Sequence, residues 1–192
     1  MKGALSFIIL PFLLLLSAIC MAQENNDSIS ILRYAETNPI ARPIAGKKFQ
    51  AFIARDDEGN FISGENIREK IVFINFWFES CAPCVSEFGN LEALYQKYKQ
   101  QKDFEFISFT FEDDSIILKT KQTYHLNFPI CHISKDSCRL LTFNIEGYPS
   151  NYILNKKMQV EFANIGGPTD KNQIELLFKY EYEAHLNRLL QQ

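Results

Sequence analysis

Nothing repeats along these 192 residues and no stretch is of low complexity, which excludes a repeat architecture as the organising plan. A surplus of positive charge is also missing: 20 lysines and arginines face 23 aspartates and glutamates, for a formal net charge of −3. That balance argues against nucleic acid and against anionic membrane surfaces as partners. Beyond the first 22 residues no apolar run reaches the roughly 20 residues of a membrane-spanning helix, so no later segment is expected to cross a bilayer. Histidine is scarce at 3 and tryptophan single, whereas phenylalanine (17) and tyrosine (8) are plentiful. Those rings point to a large aromatic core rather than a cofactor box.

The beginning of the chain has a processing signature. Lys2 gives a short basic start, residues 7–16 are almost wholly apolar, and Ser17, Ala18 and Ala22 are small. The chain then turns polar at Gln23-Glu24-Asn25-Asn26-Asp27. This is the pattern of a secretory signal peptide over residues 1–22, followed by a flexible leader over 23–40 and one domain over 41–192. Cleavage would remove a single charge, Lys2, and leave the mature chain slightly more acidic. An uncleaved anchor is the alternative, although the apolar block is short for a span. A lipid anchor at Cys20 is another, but Ile19 is bulky where a lipoprotein signal has a small residue. Export would place the other four cysteines where paired thiols can be oxidised and stay so.

The densest chemistry lies at Phe73-Ile74-Asn75-Phe76-Trp77-Phe78-Glu79-Ser80-Cys81-Ala82-Pro83-Cys84. An apolar, strand-like run delivers two cysteines, two residues apart, to the start of an amphipathic helix. Sulfurs at that spacing can close a small disulfide ring or share a metal ion. The strand-to-helix junction favours the first, because a helix N-terminus stabilises a thiolate. Cys81, ahead of the helix, is expected to be the exposed, attacking sulfur. Cys84, in the first turn, is expected to be more buried and to resolve a mixed disulfide. Pro83 suits a first turn, where its missing N–H is harmless. A static disulfide is a poor alternative, since so short a loop removes little unfolded-state entropy.

Periodicity places the remaining elements. Residues 50–53 and 60–62 flank Arg55-Asp56-Asp57-Glu58-Gly59 and read as a hairpin, and 63–70 as a short helical connector. Residues 71–78 read as a buried strand, and Phe88, Leu91, Leu94, Tyr95 and Tyr98 recur at helical spacing after Cys84. A strand over 104–109, a helix over 113–124, a short strand from Phe128 and a helical turn over 135–143 follow. A hairpin over 151–162, turning at Asn155-Lys156-Lys157, precedes a last helix with Thr169 as its N-cap. This order predicts an α/β domain: a mixed central sheet flanked by helices, with an N-terminal β-hairpin and an extra central helix.

With these elements in place the chain resembles the TlpA/ResA branch of the thioredoxin-like family, exported bacterial thiol-disulfide oxidoreductases. The resemblance runs over residues 46–190. It is carried by Asn75-Phe76-Trp77, Cys81-Ala82-Pro83-Cys84, Glu87, and Gly147-Tyr148-Pro149-Ser150 leading into Asn151-Tyr152-Ile153-Leu154. It implies a thioredoxin-like fold, a periplasmic location, and reduction of disulfides in exported proteins, for example in cytochrome c maturation. A membrane electron donor would restore the dithiol, and no bound cofactor is needed. It further implies that Glu87 serves as general acid or base for Cys84, a part that Asn75, where plain thioredoxins carry an acid, cannot play. Semi-burial would raise the pKa of Glu87. Pro149 is implied to follow a cis bond from Tyr148, making a groove edge on which an extended substrate can pair. Trp77, Ala82, Pro83, Tyr148 and Pro149 are expected to bound that groove, Trp77 as support beneath the active-site loop. Two departures stand out: Ser80 replaces the tryptophan common before the first cysteine, and the closing hairpin lacks a glycine.

Cys131 and Cys138 either form a second disulfide or stay as two reduced, part-buried thiols; the spacing allows both. A zinc site from Cys81, Cys84, Cys131 and either His132 or Cys138 would sacrifice the redox pair, so no metal is expected. His125, His132 and His185 read as surface or hydrogen-bonded residues. Peroxide reduction is disfavoured because Trp77, Phe78, Glu79 and Ser80 do not supply the Pro-x-x-x-Thr/Ser-x-x-Cys context of peroxidases with this fold. A redox-inactive partner-binding module is the alternative from another class.

Overall fold

The first strands among the described residues form a short hairpin: β1 (Ile53–Arg55) runs antiparallel to β2 (Phe61–Ser63). Its turn is built by Asp56, whose Oδ1 accepts from the backbone N–H of Glu58 and of Asn60. The expected strand over 50–53 starts later, because the preceding residues pair elsewhere: the Phe49 N–H donates to the Met158 carbonyl at 2.8 Å. The structure is a computed structural model that describes residues 44–192, all within one compact unit. The predicted signal peptide, the leader over 23–40 and Cys20 lie outside the described residues.

The helical connector expected over 63–70 is a series of turns. Asn66 explains it: its side chain accepts from the Ser63 N–H at 2.8 Å and donates to the Phe61 carbonyl at 2.9 Å, offering the backbone an alternative to a helix. Next come β3 (Ile71–Trp77), α1 (Ala82–Tyr98), β4 (Phe104–Thr110), α2 (Asp114–Tyr124), β5 (Ile130–His132) and α3 (Lys135–Leu141). Then follow β6 (Ser150–Leu154), β7 (Val160–Ile165), α4 (Lys171–Leu177), a π-helical turn over Phe178–Tyr182, and α5 (Glu183–Leu190). The main sheet has the order β5-β4-β3-β6-β7, with β3, β4 and β5 parallel and β6 and β7 antiparallel to their neighbours. This is the mixed sheet that the element order predicts.

All seven residues of β3 are buried, as a central strand covered on both faces requires. Alternation then divides the core. Phe73, Asn75 and Trp77 meet Tyr182, Glu87 and Phe88 on one face. Val72, Ile74 and Phe76 join Phe49, Phe109, Tyr152, Cys131 and Cys138 on the other. Each fully buried ring contributes roughly 1.5–3 kcal/mol relative to exposure. The closing hairpin manages without glycine because Met158 takes φ 59° and Asn155 Oδ1 accepts from the N–H groups of Lys157 and Gln159. The last helix begins one residue later than expected: Asp170, not Thr169, caps it by accepting from the Gln173 N–H. The π-helical turn within that last stretch has no signal in the sequence pattern, and it is what buries Tyr182 against β6.

Candidate active site

Cys81 ends the loop after β3 and caps α1: its sulfur accepts from the Cys84 N–H at 3.3 Å, and Pro83 sits in the first turn. Cys81 and Cys84 are joined by a disulfide. Cys81 is 5% exposed and Cys84 not at all. The attacking sulfur is thus less open than expected, yet it is the one of the pair that a partner can reach. Ala82 beside it is exposed and Pro83 partly so.

Glu87 lies one turn after Cys84 and is sealed from solvent, more deeply than the expected semi-burial. Its Oε1 accepts from the side-chain amides of Asn75 and Asn151, both at 3.1 Å, and its Oε2 from Asn151 at 3.2 Å. Asn75 in turn donates to Asn151 Oδ1 and accepts from the Ser108 hydroxyl. Burial pushes the Glu87 pKa up to about 8, against the pull of the two amides, which favour the charged form. A carboxyl poised there can hold or release a proton near neutrality.

The Tyr148–Pro149 bond is cis. The loop is pinned by the Ser150 hydroxyl donating to the Gly147 carbonyl and by the Gly166 N–H donating to the Pro149 carbonyl. Gly147 adopts φ 152°, and a Cβ there would meet Ile165 Cγ2 at 2.5 Å, so no other residue fits. Gly167 closes over the same spot: a Cβ on it would lie 3.1 Å from Pro149 Cγ and 4.0 Å from Glu87 Oε2. Tyr148 is half-buried, its ring edge-on to Phe78 and Phe111, its hydroxyl beside the Cys138 thiol. Burial pushes the Tyr148 hydroxyl up to about 12.

Trp77 does not line the groove. It is completely buried, its ring packed edge-on against Phe88 at 5.2 Å, because it shares the inward alternation of Phe73 and Asn75. Cys131 and Cys138 are free, buried thiols, so the bridge that their spacing allows is not formed. Burial pushes them up to about 12 and about 11 respectively. Among the described residues no group of three or more His, Cys, Asp or Glu side chains is placed to hold a metal ion. His132 bonds the Glu112 carbonyl and His185 packs on Phe162. Asn151, Tyr182 and Gly167 are the site residues that sequence reasoning missed; the Gly166-Gly167 pair after β7 was the one local hint.

The profile of the AhpC/TSA family matches residues 45–163. The thiol-disulfide oxidoreductase ResA of a Bacillus cereus strain is 33% identical over 131 residues, 68% of this chain and 74% of the relative. ResA of Halalkalibacterium halodurans is 29% identical over 73% of this chain and 79% of its own. Among solved structures, StoA from Bacillus subtilis superposes with a TM-score of 0.54 at 22% identity, covering 66% of this chain and 96% of that one. A thiol:disulfide interchange protein of the thioredoxin family from Chlorobium tepidum TLS superposes at 0.60 with 17% identity, covering 74% and 95%. These two likenesses show the thioredoxin fold. Matched over most of its described length and keeping Cys81 and Cys84 bonded to each other at the head of α1, the chain belongs to the AhpC/TSA family, as a thiol-disulfide oxidoreductase of the ResA type.

Proposed function

We propose that the protein acts after export, as a reductase of disulfides in periplasmic proteins such as those matured for haem attachment in cytochrome c. The observation that carries this reading is the pairing of a reachable Cys81 sulfur with a proton-binding carboxyl sealed behind it. In the reduced form the Cys81 thiolate, favoured by the helix N-terminus, attacks a substrate disulfide. One substrate thiolate leaves and a mixed disulfide forms on Cys81. The Cys84 thiol then passes its proton to the Glu87 carboxylate and attacks the Cys81 sulfur. The Cys81–Cys84 disulfide forms, the second substrate thiolate leaves, and two electrons have moved to the substrate. A membrane electron donor would return the enzyme to the dithiol.

The substrate edge is supported by Tyr148, whose backbone N–H and C=O make no hydrogen bond among the described residues. Both are available to an extended segment beside the cis bond. Export is supported by the apolar block over residues 7–16 and the small residues after it. Among the described residues no helix is long and apolar enough to cross a membrane.

Trapping tests the reading. A full-length Cys84→Ala variant, expressed with its own N-terminus, stalls mixed disulfides on Cys81. Capture of disulfide-bearing exported proteins supports the proposal. Capture confined to cytosolic proteins, or none above a Cys81→Ser, Cys84→Ala control, overturns it.

A further inference from the structure

Glu87 is gripped from a strand it does not belong to. Asn151 stands on β6, two residues after Pro149, in register with Asn75 of β3. It is wholly buried, and its amide nitrogen reaches both carboxyl oxygens of Glu87, at 3.1 and 3.2 Å, whereas Asn75 reaches only Oε1. The same nitrogen donates to the Tyr182 hydroxyl at 3.0 Å, and its Oδ1 accepts from Asn75 at 2.9 Å. With both ends of the Asn151 amide engaged, its orientation is fixed and its nitrogen faces the carboxyl. An amide N–H can only donate. A charged carboxylate accepts at both oxygens, whereas a protonated carboxyl must spend one as a donor. Donors aimed at both oxygens therefore favour the charged form, against the cost of burial.

The geometry points to Asn151 as the positioning residue of the proton step: its amide grips both oxygens of Glu87 and favours the form that accepts a proton, with Tyr182 and Asn75 fixing the amide in turn. The assignment rests on the reading of Glu87 as proton partner of Cys84. It gives the C-terminal π-helical turn a part in the site, since Tyr182 belongs to that turn and not to the strands around the cysteines. The titratable groups packed around Glu87 are few. Cys84 lies one turn earlier on its own helix, Cys81 caps that helix and Tyr182 comes from the π-helical turn, while β3 and β6 present only amides and the residues after β7 present Gly167.

A direct titration tests this without relying on activity. In the oxidised protein the two cysteines do not titrate, so the carboxyl carbon resonance of Glu87, assigned with Glu87→Gln, reports its own ionisation. In Asn151→Leu, of the same branched shape but without donors, the midpoint is expected to move up by about one pH unit or more, a tenfold weaker acid. Asn151→Thr keeps one hydroxyl donor and is expected to shift less in the same direction; it also serves as the test protein should the leucine variant not fold. An unmoved midpoint in either folded variant overturns the assignment. The pH profile of single-turnover disulfide reduction should move with the midpoint. A moved midpoint with an unmoved profile would leave Asn151 as the group that sets Glu87 and overturn Glu87 as the proton partner.

Discussion

Four cysteines of the described chain fall into two pairs, and the two differ in everything except the element. Cys81 and Cys84 stand at the head of α1, bonded to each other, one of them within reach of solvent. Cys131, in β5, and Cys138, in α3, lie in the aromatic core under β4, both free and both fully buried. The helix terminus lowers the cost of a thiolate at the first pair. Desolvation raises it at the second, pushing those thiols up to about 12 and about 11. Spacing marks the first pair but leaves the state of the second open. Placement decides it, since a thiol without water or a cation nearby is a small hydrophobe.

The sharpest way to break that contrast is substitution with activity as the readout. Cys81→Ser is expected to reduce insulin-disulfide reduction to the uncatalysed background. Cys131→Val, which adds about one methyl group's volume, is expected to leave the rate unchanged and to cost about 1–3 kcal/mol of stability. Loss of activity in the valine variant, or its survival in the serine variant, would show that the pairs are not divided as the structure divides them.

That contrast is half legible in the sequence. The active pair declares itself locally: a strand-like run, two cysteines and a helix are contiguous in the chain. Trp77 is counted both among the groove residues and as support beneath the active-site loop, and its complete burial fits the second. Nearness to Cys81 in the chain suggests the groove, although the period-two alternation with Phe73 and Asn75 turns the indole into the core. The support for Glu87 was out of reach. Asn151 is 64 residues away from it, and Tyr182 is 31 further on and placed by a π-helical turn that no periodicity announces. The state of Cys131 and Cys138 was equally closed to inspection, because a seven-residue spacing says nothing about which side chains fill the space between.

A smaller effect separates buried acid from buried thiol. Folding raises Glu87 from the ordinary 4.5 to about 8. Below the lower value both folded and unfolded chains hold the proton, and the group is neutral to stability. Between the two the unfolded chain releases it and the folded chain keeps it, so stability falls as pH rises through that window and levels off above about 8. The two thiols are raised from 9.0, so their share of the pH dependence begins only above that value. Glu87→Gln removes the first window alone. In urea unfolding of the oxidised proteins, the variant's stability relative to wild type should improve between about pH 5 and about pH 8 by on the order of a few kcal/mol. A difference that stays constant over that range would show that the folded carboxyl is ionised throughout.

The smallest expected effect lies beside the buried pair. The Tyr148 hydroxyl lies beside the Cys138 thiol, so the inert pair backs one end of the residue that precedes Pro149. Cys138→Ala removes that neighbour and a few core contacts, at a cost of about 1–2 kcal/mol. Phe78 and Phe111 still confine the ring, so Tyr148 should loosen without leaving the site. A protein disulfide that pairs with the Tyr148 backbone would feel this as a loss in kcat/KM of up to about fivefold, equivalent to roughly 1 kcal/mol of transition-state binding. A small aromatic disulfide, which needs no strand-like edge, should react as with wild type. Equal losses on both substrates would mean that the change has reached the sulfurs themselves, and that the buried pair is no mere filling of the core.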